Sequence, residues 1–369
     1  MCKADHRTRV RDCQMVGGQS TWSGTVLSLD IDHPDWLEFV SGSPTALPYH
    51  HPAWARMLAD CYGMPAFALV QHGPAGRIIG GLPCVEVKAP WGDRRWVSLP
   101  YTDACPPLCA PELTSDELLA ELVGVRKTAR VAALEVRGAL EGPGAFAQPM
   151  AAWTHTLTLD RDPEVVLRNC HRSQVQRNIT RAERSGVTVS WGQTPDALLD
   201  TFYSLHVQTR RRLGVPVQPR RFFRLLWERL IEPGLGRVLI AYASASDTPI
   251  AAAVFLTWNG TIVYKYGASD AASWSLRPNH LLFWTAIRWG CENGYHRFDF
   301  GRTDLASAGL REFKRYWGTD ERPLVYSVLA ERAPAAPRGR LAAALGGVNR
   351  HAPPVVCRLT GELFYRYAA

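Results

Sequence analysis

The sequence predicts an α/β (α+β) protein of two domains in tandem, each a mixed, mostly antiparallel sheet flanked by helices. Three observations predict it. The 369 residues exceed what one hydrophobic core usually holds. Short alternating apolar runs interleave with helical-period segments along the whole chain. The order strand, two helices, three strands, helix, strand occurs twice without any repeat of the residues themselves.

Taken in order, strands are expected at 25–30, 67–71, 78–87, 96–99 and 133–137, with a short helix around Trp36 and helices over 52–61 and 116–128. A strand at 155–159 opens the second half. Pro163 starts a long helix that Gly186 stops. A strand at 187–191, helices over 195–213 and 219–231, and strands at 238–243, 251–258 and 261–266 follow, the last two joined by Asn259-Gly260, a strong hairpin signal. A helix over 278–292 precedes a strand bounded by Gly294 and Gly301, a short amphipathic helix, and a strand at 324–329 that closes the sheet. The small, turn-rich stretch GPGAFAQPMAA at 142–152 marks the junction. The expected division is a flexible N-terminus over 1–22, a first domain over 23–150, a second over 151–332, and a tail over 333–369 docked on the body through Leu363, Phe364 and Tyr365.

Composition narrows the class. A hydrophobic fraction of 46% and a charged fraction of 21% describe a soluble globular chain, and a net charge of +8 favours a polyanionic partner. The first residues contain no apolar segment and no run of about 18 apolar residues follows, so a cytoplasmic protein without membrane insertion is expected. Nine cysteines without paired CxxC clusters fit a reducing compartment. Cys105 and Cys109 lack neighbouring histidines and read as thiols, so no metal site is expected. Nucleophile-elbow, HExxH and Walker A patterns are absent.

The stretch from Gly294 to Gly318, GYHRFDFGRTDLASAGLREFKRYWG, packs a strand, a charged loop and a basic helix into one unit. By charge pattern alone Lys314 reads as a solvated surface lysine. FDFGRT followed by GLREFKRYWG, however, resembles the Fem group of aminoacyl-tRNA-dependent peptidyl transferases, most strongly over 167–326. That resemblance implies a tandem pair of GNAT-type acyltransferase domains, which the repeated element order matches independently. It also implies that Lys314, with Phe313 beside it, transfers the aminoacyl group, with no cofactor beyond aminoacyl-tRNA as co-substrate.

Other residues are carried over by motif. LHVQTRRRLGVP resembles the acceptor-pocket segment and gives Arg212 and Arg211. IVYKYGASD gives Tyr266 and Lys265, although a strand tyrosine is ordinarily core. SLPYTDACPPL gives Asp103 as a proton acceptor, against a turn-forming role. Arg302 and Asp304 come from FDFGRTD, and Asp299 and Glu312 are further carboxylate candidates. Arg168, Arg172, Arg177, Arg181 and Arg184 form a basic stripe for tRNA phosphates or a merely exposed helix face. LPYHHPAWARML resembles the early substrate motif through Trp54. Its expected glutamine and lysine are replaced, which argues against the usual nucleotide-linked cell-wall precursor as acceptor.

Amine attack on an aminoacyl ester needs an oxyanion stabiliser and a proton acceptor, and no Ser-His-Asp set. The expected partners are therefore a charged tRNA and a small-molecule or peptide amine, in natural-product or cell-wall chemistry. Two other readings stand beside this one. An acyl-CoA N-acyltransferase would want glycines before the helix at 278, where the sequence reads SLRPNHLL. A basic RNA-binding protein would not need Lys314.

Overall fold

The computed structural model describes residues 26–88, 94–150, 152–243 and 248–334. The segments expected as a flexible N-terminus and as most of the docked tail lie outside the described residues. In the first half, β1 (Leu27–Asp30) leads through α1 (Pro34–Gly42) and α2 (Pro52–Tyr62) to β2 (Ala66–His72), β3 (Ile78–Lys88) and β4 (Arg94–Val97). Then come β5 (Leu108–Cys109), α3 (Ser115–Thr128), β6 (Ala133–Val136) and β7 (Ala145–Ala147). The second half holds β8 (Ala152–Thr158), α4 (Pro163–Asn169), α5 (Arg177–Arg184), β9 (Thr188–Trp191), α6 (Tyr203–Leu213) and α7 (Arg220–Leu226). It continues with β10 (Gly236–Ala243), β11 (Thr248–Trp258), β12 (Thr261–Ser269), α8 (Pro278–Glu292), β13 (Arg297–Asp304), α9 (Ala308–Arg315), β14 (Asp320–Leu324) and β15 (Ser327–Ala330).

Local chemistry accounts for most boundaries. Thr114 and Glu117 cap α3 reciprocally, and Gly63 and Gly214 end α2 and α6 in the left-handed region. Asn259 (φ 48) and Gly260 (φ 66) make the tight turn between β11 and β12 that their sequence foretold. The long helix expected from Pro163 is interrupted. Cys170 is extended at ψ 150, its Sγ donating to Val166 O and Trp317 O, and a wide turn over Arg172–Gln176 precedes α5.

Two sheets result, ordered β1-β2-β3-β4-β6-β15-β7, with β5 beside β3, and β9-β10-β11-β12-β13-β8-β14. Both carry the same sequence of elements, and among the described residues each has one parallel pair, β4 with β6 and β12 with β13. The strand expected to close the second sheet is in fact two. β14 pairs with β8, whereas β15 crosses to the first sheet and lies between β6 and β7. Conversely β8, which follows β7 directly in the chain, lies between β13 and β14 of the second sheet. The domains thus exchange strands at matching positions.

The layers follow from which faces are apolar. One core joins α1 and α2 (Trp36, Trp54, Met57) to α6 and α7 (Tyr203, Phe222, Phe223) between the two sheets. A second core lies on the far side of the second sheet, under α5, α8 and the Phe313–Trp317 turn. A third packs α3 on the far side of the first sheet. Ion pairs and hydrogen bonds bridge the halves as well: Arg229 reaches Asp60 at 2.9 Å, and the Asn259 amide donates to Ser43 O and Ala46 O.

Candidate active site

The site grows from a break in the second sheet. β12 and β13 pair only from Thr261↔Arg297 to Val263↔Asp299. Beyond that point β13 shifts register against β8 between Asp299 and Arg302, so the two parallel strands separate. Gly301 makes this possible with φ +71, a region costly for residues with a Cβ. A Cβ there would also lie 2.8 Å from Asp103 Oδ2. The bulge is braced by Asp299, whose Oδ1 accepts from Gly301 N at 2.7 Å.

Two main-chain carbonyls freed by the bulge hold the central residue. Lys314 reaches from α9 and donates to Gly301 O at 2.8 Å and Arg302 O at 2.9 Å. It is 2% exposed, so the solvated-lysine reading fails. Burial pulls its pKa down to about 8, opposed by Asp103, Asp299 and Asp304. The ammonium therefore stays charged near neutrality with one proton left to aim at a substrate oxygen. Asp299 is buried, and that desolvation, supported by Asp103, raises its pKa.

Asp103 arrives from the other domain, on the segment 98–105. Tyr326 donates its hydroxyl to Asp103 O at 2.8 Å. Lys265 donates to Tyr101 O, with Tyr101 itself at φ 62. The Lys265 ammonium lies 5.0, 5.2 and 5.4 Å from the ring centroids of Tyr49, Trp54 and Tyr266, an aromatic surround that favours a cation. Its pKa is lowered, by burial first, against the pull of Asp103.

The other expected residues divide by position. Phe313 packs against His280 and Phe283, so it seats the helix that carries Lys314. Trp54 has no exposed surface and touches Tyr49 and Phe222. Tyr266 packs on Phe222, Phe223 and His206. Arg302 and Asp304 bond each other at 2.8 Å on the exposed rim, and Glu312 accepts from Tyr316 Oη. Arg211 is half-buried, and Arg212 donates to Ser269 O at 3.3 Å, at the far end of β12. Arg172, Arg177, Arg181 and Arg184 line one shallow groove of about 590 Å³. Arg168 stands apart on α4. Among the described residues none of the five forms an ion pair with a carboxylate.

Sequence reasoning missed the wall behind Lys314. His155 is fully buried on β8, its Nε2 3.1 Å from Glu321 on β14, and Arg311 holds Glu321 through two bonds of 2.8 and 2.7 Å. Burial first, and the Lys314 charge next, push His155 down to about 4. The signal was a strand pairing, His155↔Glu321, which no local pattern announces. Among the described residues no cluster of His, Cys, Asp and Glu could hold a metal ion, and no helix is long and apolar enough to cross a membrane.

Residues 169–315 match the family model of the acetyltransferase (GNAT) domain. Among solved structures, FemX is similar at a TM-score of 0.66 and 16% identity, over 82% of this chain and 96% of that one. A tandem GNAT protein from the clavulanic acid biosynthesis pathway is similar at 0.52 and 14%, over 85% and 99%. The L-PGS of Bacillus licheniformis is similar at 0.51 and 13%, over 92% and 99%. No curated protein sequence matches significantly. At these identities the likeness establishes the fold, that of GNAT acyltransferases in tandem.

Proposed function

We propose that this chain transfers the amino acid of a charged tRNA to an amine of a small molecule or peptide, forming an amide. The observation that carries it is the Lys314 ammonium, buried and doubly anchored where β12 and β13 part, with Asp103 brought to it from the other domain. As the acceptor amine attacks the ester carbon, Lys314 meets the charge developing on the carbonyl oxygen. The amine proton passes to Asp103, the carbon–oxygen bond to the tRNA ribose breaks, and Asp103 returns that proton to the departing ribose oxygen, which leaves as a hydroxyl. The likeness to FemX, and the unpaired arginines of the 172–184 groove, support a tRNA donor. No further cofactor is needed, and the setting would be cytoplasmic.

An acyl-CoA N-acyltransferase is the second reading, favoured by the family match over 169–315. Against it, the connection into α8 has Arg277 at the cap and Pro278 at the first helical position, so it presents a ring where a pyrophosphate would want an amide. The assay supplies candidate amines with a charged tRNA pool or with acyl-CoA, with and without ribonuclease, and follows product by intact mass. Ribonuclease-sensitive product from tRNA is expected. Product from acyl-CoA in the presence of ribonuclease would sink the tRNA reading.

A further inference from the structure

We propose that Trp274, backed by Arg212, is a stacking platform for the terminal nucleobase of the acyl donor. Trp274 is 46% exposed, yet it is fixed. Its Nε1 donates to Ser269 Oγ at 2.9 Å, and Ser269 N donates to Thr209 Oγ1 on α6. The turn that carries it, Ala271–Leu276, is capped by the Asp270 carboxylate, which accepts from Ala272 N and Ser273 Oγ. The Arg212 guanidinium lies 4.7 Å from the indole centroid. One face is thus covered by a cation while a flat aromatic surface remains in water, the arrangement on which a base stacks without needing a particular sequence.

Position selects the occupant. The turn leads from the splayed end of β12 into α8, so Trp274 stands at the open end of the gap. The first turn of α8 meets the arginine helix, with Asn178 Nδ2 3.5 Å from His280 Nε2, and it meets the helix of Lys314, with the His280 ring 5.2 Å from Phe313. A polyanion lying in the arginine groove would pass the start of α8 on its way to Lys314, and the turn that carries Trp274 leads directly into that start. The phosphates of such a donor go to arginines, and its π faces need an aromatic.

The inference rests on the nucleotide-linked donor proposed above. The adenine of a CoA thioester offers the same chemistry, and the experiment separates the two sources. The probe is a 5′-fluorescein RNA minihelix with a single-stranded CCA end, titrated with the full chain and followed by anisotropy. Trp274→Ala should weaken binding about tenfold, a conservative share of base–aromatic stacking, and Trp274→Phe should stay near wild type. Removing only the 3′-terminal base should cost the wild type the same factor and Trp274→Ala nothing further. Equal losses on intact and abasic ends, or no loss, would overturn the platform while leaving the tRNA donor in place. If the wild type ignores the minihelix but binds acetyl-CoA in a Trp274-dependent way, the tRNA donor falls and the platform stands. Binding of neither probe overturns both.

Discussion

Among the described residues each sheet has one parallel pair, and the two pairs end differently. In the first sheet β4 and β6 run together to Val97↔Glu135, and the protein's own backbone then stitches the gap. Ser98 N donates to Glu135 O, and Cys105 N donates to Arg137 O. Ser98 Oγ donates to Cys105 O and accepts from Arg137 N. In the second sheet the corresponding gap past Val263↔Asp299 is lined instead by Lys314, Asp103, Asp299 and Lys265. A parallel pair that parts leaves unmet backbone groups, and these must go somewhere. Where main chain and a serine hydroxyl fill them the opening is closed; where a lysine fills them a buried charge is left beside it. The segment that stitches the first gap carries Asp103 to the second, so the closed opening helps to build the open one.

The sharpest way to break this contrast is Lys314→Met. Turnover should fall by about 10² to 10³, and the carbonyls of Gly301 and Arg302 lose their donor, costing about 1–3 kcal/mol. Retained turnover in single-turnover assays would remove Lys314 from the chemistry. Gly301→Ala is next. Its Cβ would meet Asp103 Oδ2 at a positive φ, so turnover should drop by about tenfold through misplacement, within what an ångström of displacement does, with a lower melting temperature.

Acid–base behaviour sharpens the contrast further. On the proposed mechanism Lys314 acts in its charged form, and with burial pulling its pKa down to about 8 activity should decline about tenfold per pH unit above 8. Stability should move oppositely. The unfolded lysine keeps its proton to a higher pH than the folded one, so the unfolded state binds more protons between the two values and ΔG of unfolding rises there. Denaturant titrations from pH 7.5 to 10 should show that rise, and Lys314→Met should abolish it. The smallest effect on turnover belongs to the stitched gap. Ser98→Ala removes one buried and one part-buried hydrogen bond and should cost about 1–3 kcal/mol by urea titration while leaving turnover within about twofold. A loss as large as that of Gly301→Ala would mean the seam itself aims Asp103.

What was legible in the sequence was local. The Asn259-Gly260 turn, the helix over 278–292 and the FDFG strand are set by residues close together, and the family-like motif drew attention to Lys314, which the structure buries. What escaped is set by distance along the chain. Leu140 N donates to Ser327 Oγ across 187 residues, and no periodicity tells β15 which sheet to join. Lys314 read as wet because charge patterns see the helix and not the two carbonyls that the Gly301 bulge turns toward it. His155, Tyr49 and Trp274 escaped for the same reason, since each owes its place to a partner from another element. The break at Cys170 was hidden because its cause, Trp317, lies on the far side of α9.

The exchange of β8 and β15 bears on how the chain is made. The first sheet contains a strand that leaves the ribosome only after the whole second domain has been synthesised, so the amino-terminal half waits with a slot open between β6 and β7. Such distant pairing slows folding and leaves sheet edges uncovered in the interval. It also means that the halves cannot be separated at the 142–152 junction into two complete folding units. The first would lack β15 and the second would carry an unpaired strand, the situation in which two copies of a chain borrow each other's strands.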